Sequence, residues 1–343
     1  MKTLVKIITA GLLVSASAAA VNAASHSKST LDLVKARGMV VCGVSGGLPG
    51  FSAPDDAGKM QGIDADVCRA VAAAVLGDST KVEYRTLTAV ERWAALTSSE
   101  VDLLSRNSTH TLTRDASLGV DFTYYNYIDG QGFMVKNALG VKSALELDGA
   151  KICVQAGTTT ELNMADYFRS NGITFSPVGY ETSTQTREGF EGGACDALTS
   201  DKSQLAALRS ELKDPTSATI LPETISKEPL GPVVRQGDDQ WNKIVLWSIH
   251  ALINGEELGL NSANVDEMKA STTVPGIKRF LGTEDAMGAH LGLEADWAYN
   301  IIKQVGNYGE IYERTVAPLG IARKGSVNDL WTRGGLLYSP PIR

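Results

Sequence analysis

"VDLLSRNSTHTLTR", residues 101–114, starts as an apolar run and turns abruptly into hydroxyls, an amide and the guanidinium of Arg114. "VDLL" has the composition of a short buried strand. The polar residues at its exit form a dense set of donors. The same letters return further on. "VDLLSRN" (101–107) lies over "CDALTSD" (195–201), with Asp on Asp, Leu on Leu, and Asn107 matched by Asp201. Two strand exits of related sequence, one rich in donors and one ending in an acid, suggest two similar units that face each other.

Working outward, the first exit is preceded by a regular alternation. "GMVVCGVSG" (38–46) reads as a strand and "DADVCRAVAAAVLG" (64–77) as a helix closed by glycine. "VEYRTL" is a second strand. "TAVERWAALTSSE" is a helix opened by Thr88 with Glu91 three residues on. Strand, helix, strand, helix, strand predicts a parallel sheet covered on both faces. The order then restarts with "AKICVQAG" (150–157), "TTTELNMADYFRSNG", "FSPVGY", "TSTQTREGFEGG" and "CDALTSD". Ligands of such sheets sit beyond the carboxyl ends of the strands, so both polar exits are expected to face one cleft. "GQGFMVKN" (130–137) and "EPLGPVVRQGDD" (228–239) read as two crossings of a hinge. The expected division is residues 24–134 and 236–343 for the first lobe with a C-terminal extension, and 135–235 for the second. "WNKIVLWSIHALINGEELG" is an amphipathic helix beyond the second crossing.

The chain of 343 residues is long enough for two lobes with separate cores. With 43% apolar and 21% charged residues it has a globular composition. Its net charge of -7 argues against a nucleic-acid partner, which needs a basic face. Lys2 and Lys6, the apolar run from Ile7 to Val14 and the small residues ending at Ala23 read as a secretory signal peptide over 1–23. The apolar run falls short of the ~20 residues of a spanning helix. Loss of the two lysines takes the net charge from -7 to -9. Cys42, Cys68, Cys153 and Cys195 form an even set in an exported chain, which points to disulfides. Three connectivities are open; the spacing favours Cys42 with Cys68 and Cys153 with Cys195, each inside one lobe. No CxxC occurs and the four histidines are scattered, so no metal site and no cofactor are expected.

Arg114 offers a planar fork suited to a carboxylate, and Asn107 and Thr109 share its strand exit. "GTTTE" (157–161) opens a helix directly after a strand, where free N–H groups favour anions. Thr158 is the expected cap there, and Thr159 the spare hydroxyl. Asp201 is placed to hold an ammonium group, or alternatively to cap the helix "KSQLAALRSEL" with Gln204 three residues on. Donors on one side and a carboxylate on the other describe a site for an α-amino acid, because each charge must be paired as it leaves water.

With these motifs, and with "GLPGFSAPDDAGKMQGIDADVCRAVAAAVLGD" and "EPLGPVVRQGDDQW", the chain resembles the periplasmic solute-binding proteins of polar amino-acid ABC importers, especially the general L-amino-acid branch. The resemblance implies an α/β, two-lobe, type II Venus-flytrap fold with a hinge crossed twice. It implies a carboxylate clamp of Asn107, Thr109, Arg114 and Thr159, an ammonium partner in Asp201, and Phe51 as an aromatic packed on the ligand. Arg92 falls where glutamate- and aspartate-binding relatives hold the side-chain carboxylate, although by spacing alone it reads equally as a solvated charge. Where those relatives use a further Arg and a His, this chain has Ser45 and Ser183, which suggests broad selection among Glu, Gln, Asp and Asn. A monomer in the periplasm, closing on its ligand and docking on an inner-membrane permease without chemistry, is the implied function. The alternative is a secreted enzyme on the same fold, similar to a cyclohexadienyl dehydratase, for which His110 is the one histidine near the motif.

Overall fold

A computed structural model of the chain describes residues 29–343; the expected signal peptide lies outside the described residues. The alternation read from the sequence becomes two five-stranded sheets of matching design. In the first, Val40–Val44 lies between Val82–Thr86 and Leu103–Leu104, all parallel. In the second, Ala150–Gln155 lies between Phe175–Tyr180 and Ala197–Asp201, again all parallel. Each sheet continues with an antiparallel strand contributed from across the hinge. Val233–Arg235 pairs with Leu104 and with Val120–Phe122 in the first sheet. Gln131–Lys136 pairs with Ala197–Asp201 and Ala218–Ile220 in the second.

This exchange of strands corrects the expected boundaries. Residues 131–136 belong to the second sheet and 233–235 to the first, so divisions at 134/135 and 235/236 cut through or just past strands. The crossing is a short antiparallel ribbon, Tyr127–Asp129 against Glu228–Leu230, in which Glu228 faces Asp129. "GQGFMVKN" reads as a linker because of its glycines, yet its apolar centre Phe133, Met134 and Val135 is fully buried.

The first lobe's core is organised around helix Ile63–Leu76, whose alanines let neighbours approach on every side. Helices Asp239–Glu257, Trp297–Val305 and Tyr308–Thr315 join the same core, so the C-terminal residues pack with the first sheet. Fully buried Trp241 donates its indole N–H to Asp102 O at 2.9 Å. The second lobe has two smaller cores, one on each face of its sheet. Disulfides Cys42–Cys68 and Cys153–Cys195, with Cα–Cα distances of 6.2 and 5.6 Å, each tie a strand to a segment of its own lobe.

The tail also reaches the hinge. Asn328 accepts the N–H of Ile128 at 2.7 Å and donates to its carbonyl at 2.8 Å, as a neighbouring strand would. Tyr308 donates its hydroxyl to Asn126 O at 2.8 Å beside it. No helix among the described residues is long and apolar enough to cross a membrane.

Candidate functional site

The two polar strand exits meet. Arg92, Arg106, Asn107, Thr109 and Arg114 from the first lobe and Thr158, Thr159, Ser200, Asp201 and Gln204 from the second surround one cavity of about 20 Å³. Contacts across the gap hold it closed. Asn107 Nδ2 donates to Gln204 Oε1 at 3.0 Å, and the hydroxyls of Thr109 and Thr159 lie 3.3 Å apart.

The donor side is built from the loop after Leu103–Leu104. Asn107 takes φ +32°, a conformation that Asn tolerates better than most side chains. Asp64, in the first turn of helix Ile63–Leu76, fixes this bend by accepting from Asn107 N at 2.8 Å and from Asn126 Nδ2 at 2.8 Å. Burial lifts the Asp64 carboxyl to about 6 against the pull of those bonds. Thr111 caps the next short helix through Arg114 N, and Arg114 Nη1 donates to Thr109 O at 3.0 Å. The Arg114 guanidinium lies 5.2 Å from the Trp93 ring centroid, and that of Arg92 4.5 Å from it. One indole thus positions two cations.

Arg92 is 2% exposed and is not a solvated charge. Its Nη1 donates to Ser108 Oγ at 3.1 Å, while its Nε has no hydrogen-bond partner among the described residues. Arg106, absent from the residues expected from sequence, is equally buried at 4% and donates Nε to Leu87 O at 2.8 Å. Burial depresses the pKa of both; that of Arg106 falls to about 10. A dipeptide "SR" at a strand end carries no sign of which side chain turns inward, so Arg106 had no signal of its own.

The acceptor side is simpler. Thr158 caps helix Thr159–Ser170 as expected, accepting from Glu161 N at 3.3 Å. The Thr159 hydroxyl is not spare: it donates to Glu228 Oε2 at 3.0 Å. Glu228, 1% exposed, also accepts from Asn163 Nδ2 at 2.8 Å and from Ser226 Oγ at 2.6 Å. Asp201 makes no side-chain capping bond to helix Lys202–Ser210, which sets aside the capping alternative. Its carboxylate is 5% exposed and Oδ1 has no partner among the described residues. Burial, with Asp129 and Glu228 nearby, pushes its pKa well above the carboxylate range, while Arg114 and Arg92 pull it down.

Two expected residues sit elsewhere. Phe51 is 1% exposed, off the cavity, with its ring edge-on to Tyr127 at 5.3 Å. The cause is local. Phe51 O accepts from Asp64 N at 3.0 Å, in effect capping helix Ile63–Leu76, and Gly62 at φ +122° permits a close approach where a Cβ would lie 2.1 Å from that oxygen. This geometry sends the ring into the core. His110 stacks on Phe122 at 4.5 Å, with Nε2 3.5 Å from Asp115, and does not line the cavity.

Among the described residues no group of three His, Cys, Asp or Glu side chains is placed to hold a metal ion. The arrangement is one of opposed charges: guanidiniums and hydroxyls on one wall, an unpaired carboxylate on the other. Arg92 Nε, Asn107 Oδ1 and Asp201 Oδ1 are buried without a hydrogen-bond partner among the described residues, and all three residues line this cavity. Native proteins rarely leave such atoms unpaired unless something else supplies the partner.

A hinged two-lobe fold with a cavity between the strand ends is the architecture of solute-binding proteins. The chain belongs to the bacterial extracellular solute-binding proteins, family 3, whose match covers residues 40–260. It is 55% identical to the general L-amino acid-binding periplasmic protein AapJ of Rhizobium johnstonii, over 96% of this chain and 97% of that one. It is 53% identical to the glutamate/glutamine/aspartate/asparagine-binding protein BztA of Rhodobacter capsulatus, over 95% and 96%. A solved ABC-transporter periplasmic binding protein from Brucella ovis with glutathione bound superimposes with a TM-score of 0.89 at 52% identity, covering 92% of this chain and 100% of that one.

Proposed function

We propose that the protein is the periplasmic binding component of an ABC importer for L-amino acids. The ligand α-carboxylate is held by Arg114, Thr109, Thr159 and the Asn107 loop, and the α-ammonium by Asp201. The observation that carries this reading is the meeting of Arg114 and an unpaired Asp201 carboxylate across one inter-lobe cavity. Neither charge is satisfied by its own lobe, so a zwitterion that touches both favours the closed arrangement. The relatives AapJ and BztA, named for general L-amino-acid and for Glu, Gln, Asp and Asn binding, support broad selection.

The Brucella ovis relative holds glutathione, whose glutamyl residue keeps a free α-amino and α-carboxyl group. A clamp for those two groups has the chemistry to take ligands larger than single amino acids. Binding requires no bond to be made or broken, and the loaded monomer delivers its cargo to an inner-membrane permease. The relatives' names as binding proteins and the position of His110 off the cavity favour a carrier over a dehydratase-like enzyme.

The test is a thermal-shift screen of the twenty amino acids followed by calorimetry, since a ligand selective for the native state raises the melting temperature by mass action. Glutamate, glutamine, aspartate and asparagine are expected to shift it. No shift with any amino acid would sink the reading.

A further inference from the structure

Next to the clamp lies a second cavity of about 200 Å³, bordered by Ser45, Thr86 and Thr88 of the first lobe and by Thr182, Ser183 and Thr184 of the second. It shares Arg106 and Gln155 with the clamp cavity, so the two cavities adjoin at these side chains. Ser183 closes one wall by donating to Gly47 O at 3.3 Å. Serine and threonine hydroxyls make up half of the lining residues, and Leu87, Glu91, Arg106 and Gln155 are the larger side chains on it. A volume well beyond the clamp cavity, walls rich in small hydroxyl side chains and a position between the lobes describe space for part of a ligand.

Arg106 supplies the second observation. Only its Nε has an acceptor among the described residues; the four N–H groups on its terminal nitrogens have none. Among the described residues no carboxylate forms an ion pair with it, although Asp64 and Glu91 are near enough to favour its charge; the Glu91 carboxylate accepts from Thr88 N at 3.1 Å. A buried guanidinium with free donors at the mouth of a polar cavity is placed for an acidic or acyl oxygen.

We infer that the clamp cavity and this second cavity form one extended site for γ-linked glutamyl peptides, in which Arg106 reads the side-chain acyl or carboxylate oxygen and the hydroxyl-lined space takes the residue linked beyond it. This rests on the amino-acid clamp proposed above. The α-groups of the glutamyl residue are gripped between Arg114 and Asp201. Its side chain runs past Arg106, and the Ser and Thr hydroxyls serve the peptide link as donors and acceptors. An α-linked peptide of the same composition has its α-carboxylate consumed in the link, so the clamp rejects it.

Calorimetry with L-alanine, L-glutamate, γ-glutamylglycine and α-glutamylglycine tests this on the full mature chain. The wild-type protein is expected to bind the first three and not the fourth. Thr184→Phe, which fills the second cavity from the far lobe, should weaken γ-glutamylglycine by about tenfold or more and glutamate by less than about threefold. Arg106→Gln should weaken glutamate and γ-glutamylglycine about tenfold and alanine by a smaller factor. Glutamate binding without γ-glutamylglycine binding, or equal losses for both with Thr184→Phe, would overturn the extended site and leave the amino-acid clamp standing. Failure of every amino acid to bind would overturn the clamp and the extension together.

Discussion

The loop after Leu104 and the strand end at Asp201 occupy equivalent places in two sheets of the same design, and they carry opposite charge. The first lobe gathers Arg92, Arg106 and Arg114 around its exit, steadied by Trp93. The second presents Asp201, with Glu228 and Asp129 behind it on the hinge ribbon. Neither half satisfies itself. Arg114 borrows a backbone carbonyl, while Asp201 keeps an oxygen with no partner. On the function proposed above, dividing cations and anions between two lobes couples ligand binding to closure, because a dipolar molecule gains its full set of contacts only when both exits are near.

The largest test of that division is to remove one pole. Arg114→Ala, or Asp201→Asn, should weaken every amino-acid ligand at least about a hundredfold by calorimetry, since breaking a buried charge pair costs ~2–5 kcal/mol. Near-normal affinity in either variant would mean that the two exits do not grip a zwitterion.

The lobes also differ in how they are held together. The second has smaller cores and a disulfide closing a sequence separation of 42 residues. Replacing Cys153 and Cys195 with serine should lower unfolding free energy by ~2–4 kcal/mol in denaturant titrations. The affinity of the folded fraction should be nearly unchanged, and a large loss of affinity instead would show that the acidic exit depends on that cross-link.

Charge asymmetry predicts a proton effect. Burial raises the Asp201 carboxyl in the free protein, and a ligand ammonium lowers it, so binding should expel a proton and strengthen as pH rises. Affinity should therefore fall as the medium is acidified, by up to about tenfold per pH unit. Calorimetry in buffers of different ionisation enthalpy counts the proton released. Asp201→Asn should abolish the Asp201 part of that release, and an unchanged count would assign it elsewhere. For stability without ligand the sign is opposite. Asp64 and Asp129 have carboxyls raised to about 6, so their contribution is fully present in acid and is lost as pH rises through about 6.

The smallest expected change is at the seam. Thr159→Val removes a hydroxyl poised between Thr109 and Glu228, and should cost about tenfold in affinity, consistent with one buried hydrogen bond of ~1–3 kcal/mol. An equal loss for alanine and glutamate would tie it to the α-carboxylate.

The sequence showed a good deal of this, and for identifiable reasons. Strands and helices with clear periodicity, such as 150–155 and 239–257, occur close to where the pattern puts them. The internal echo of 101–107 in 195–201 falls on equivalent strand ends of the two sheets. What stayed hidden is set by tertiary direction. "GQGFMVKN" looks like a linker, but an apolar strand and a glycine-flanked crossing share the same letters. Phe51 looks like a ligand platform until its carbonyl is seen to hold a helix end, which turns the ring inward. Arg106 and Asp64 are buried charges whose partners lie far along the chain, and spacing does not report that.

Asn328 grips both polar groups of Ile128 from the C-terminal tail. Asp129 on the same strand accepts from Ser203 N of the second lobe at 3.1 Å, so strand 127–129 is tied to both lobes. Glu228 opposite it bonds to Thr159 and Asn163 of the second lobe, so one line of hydrogen bonds runs from the C-terminal tail through the crossing to the wall of the cavity.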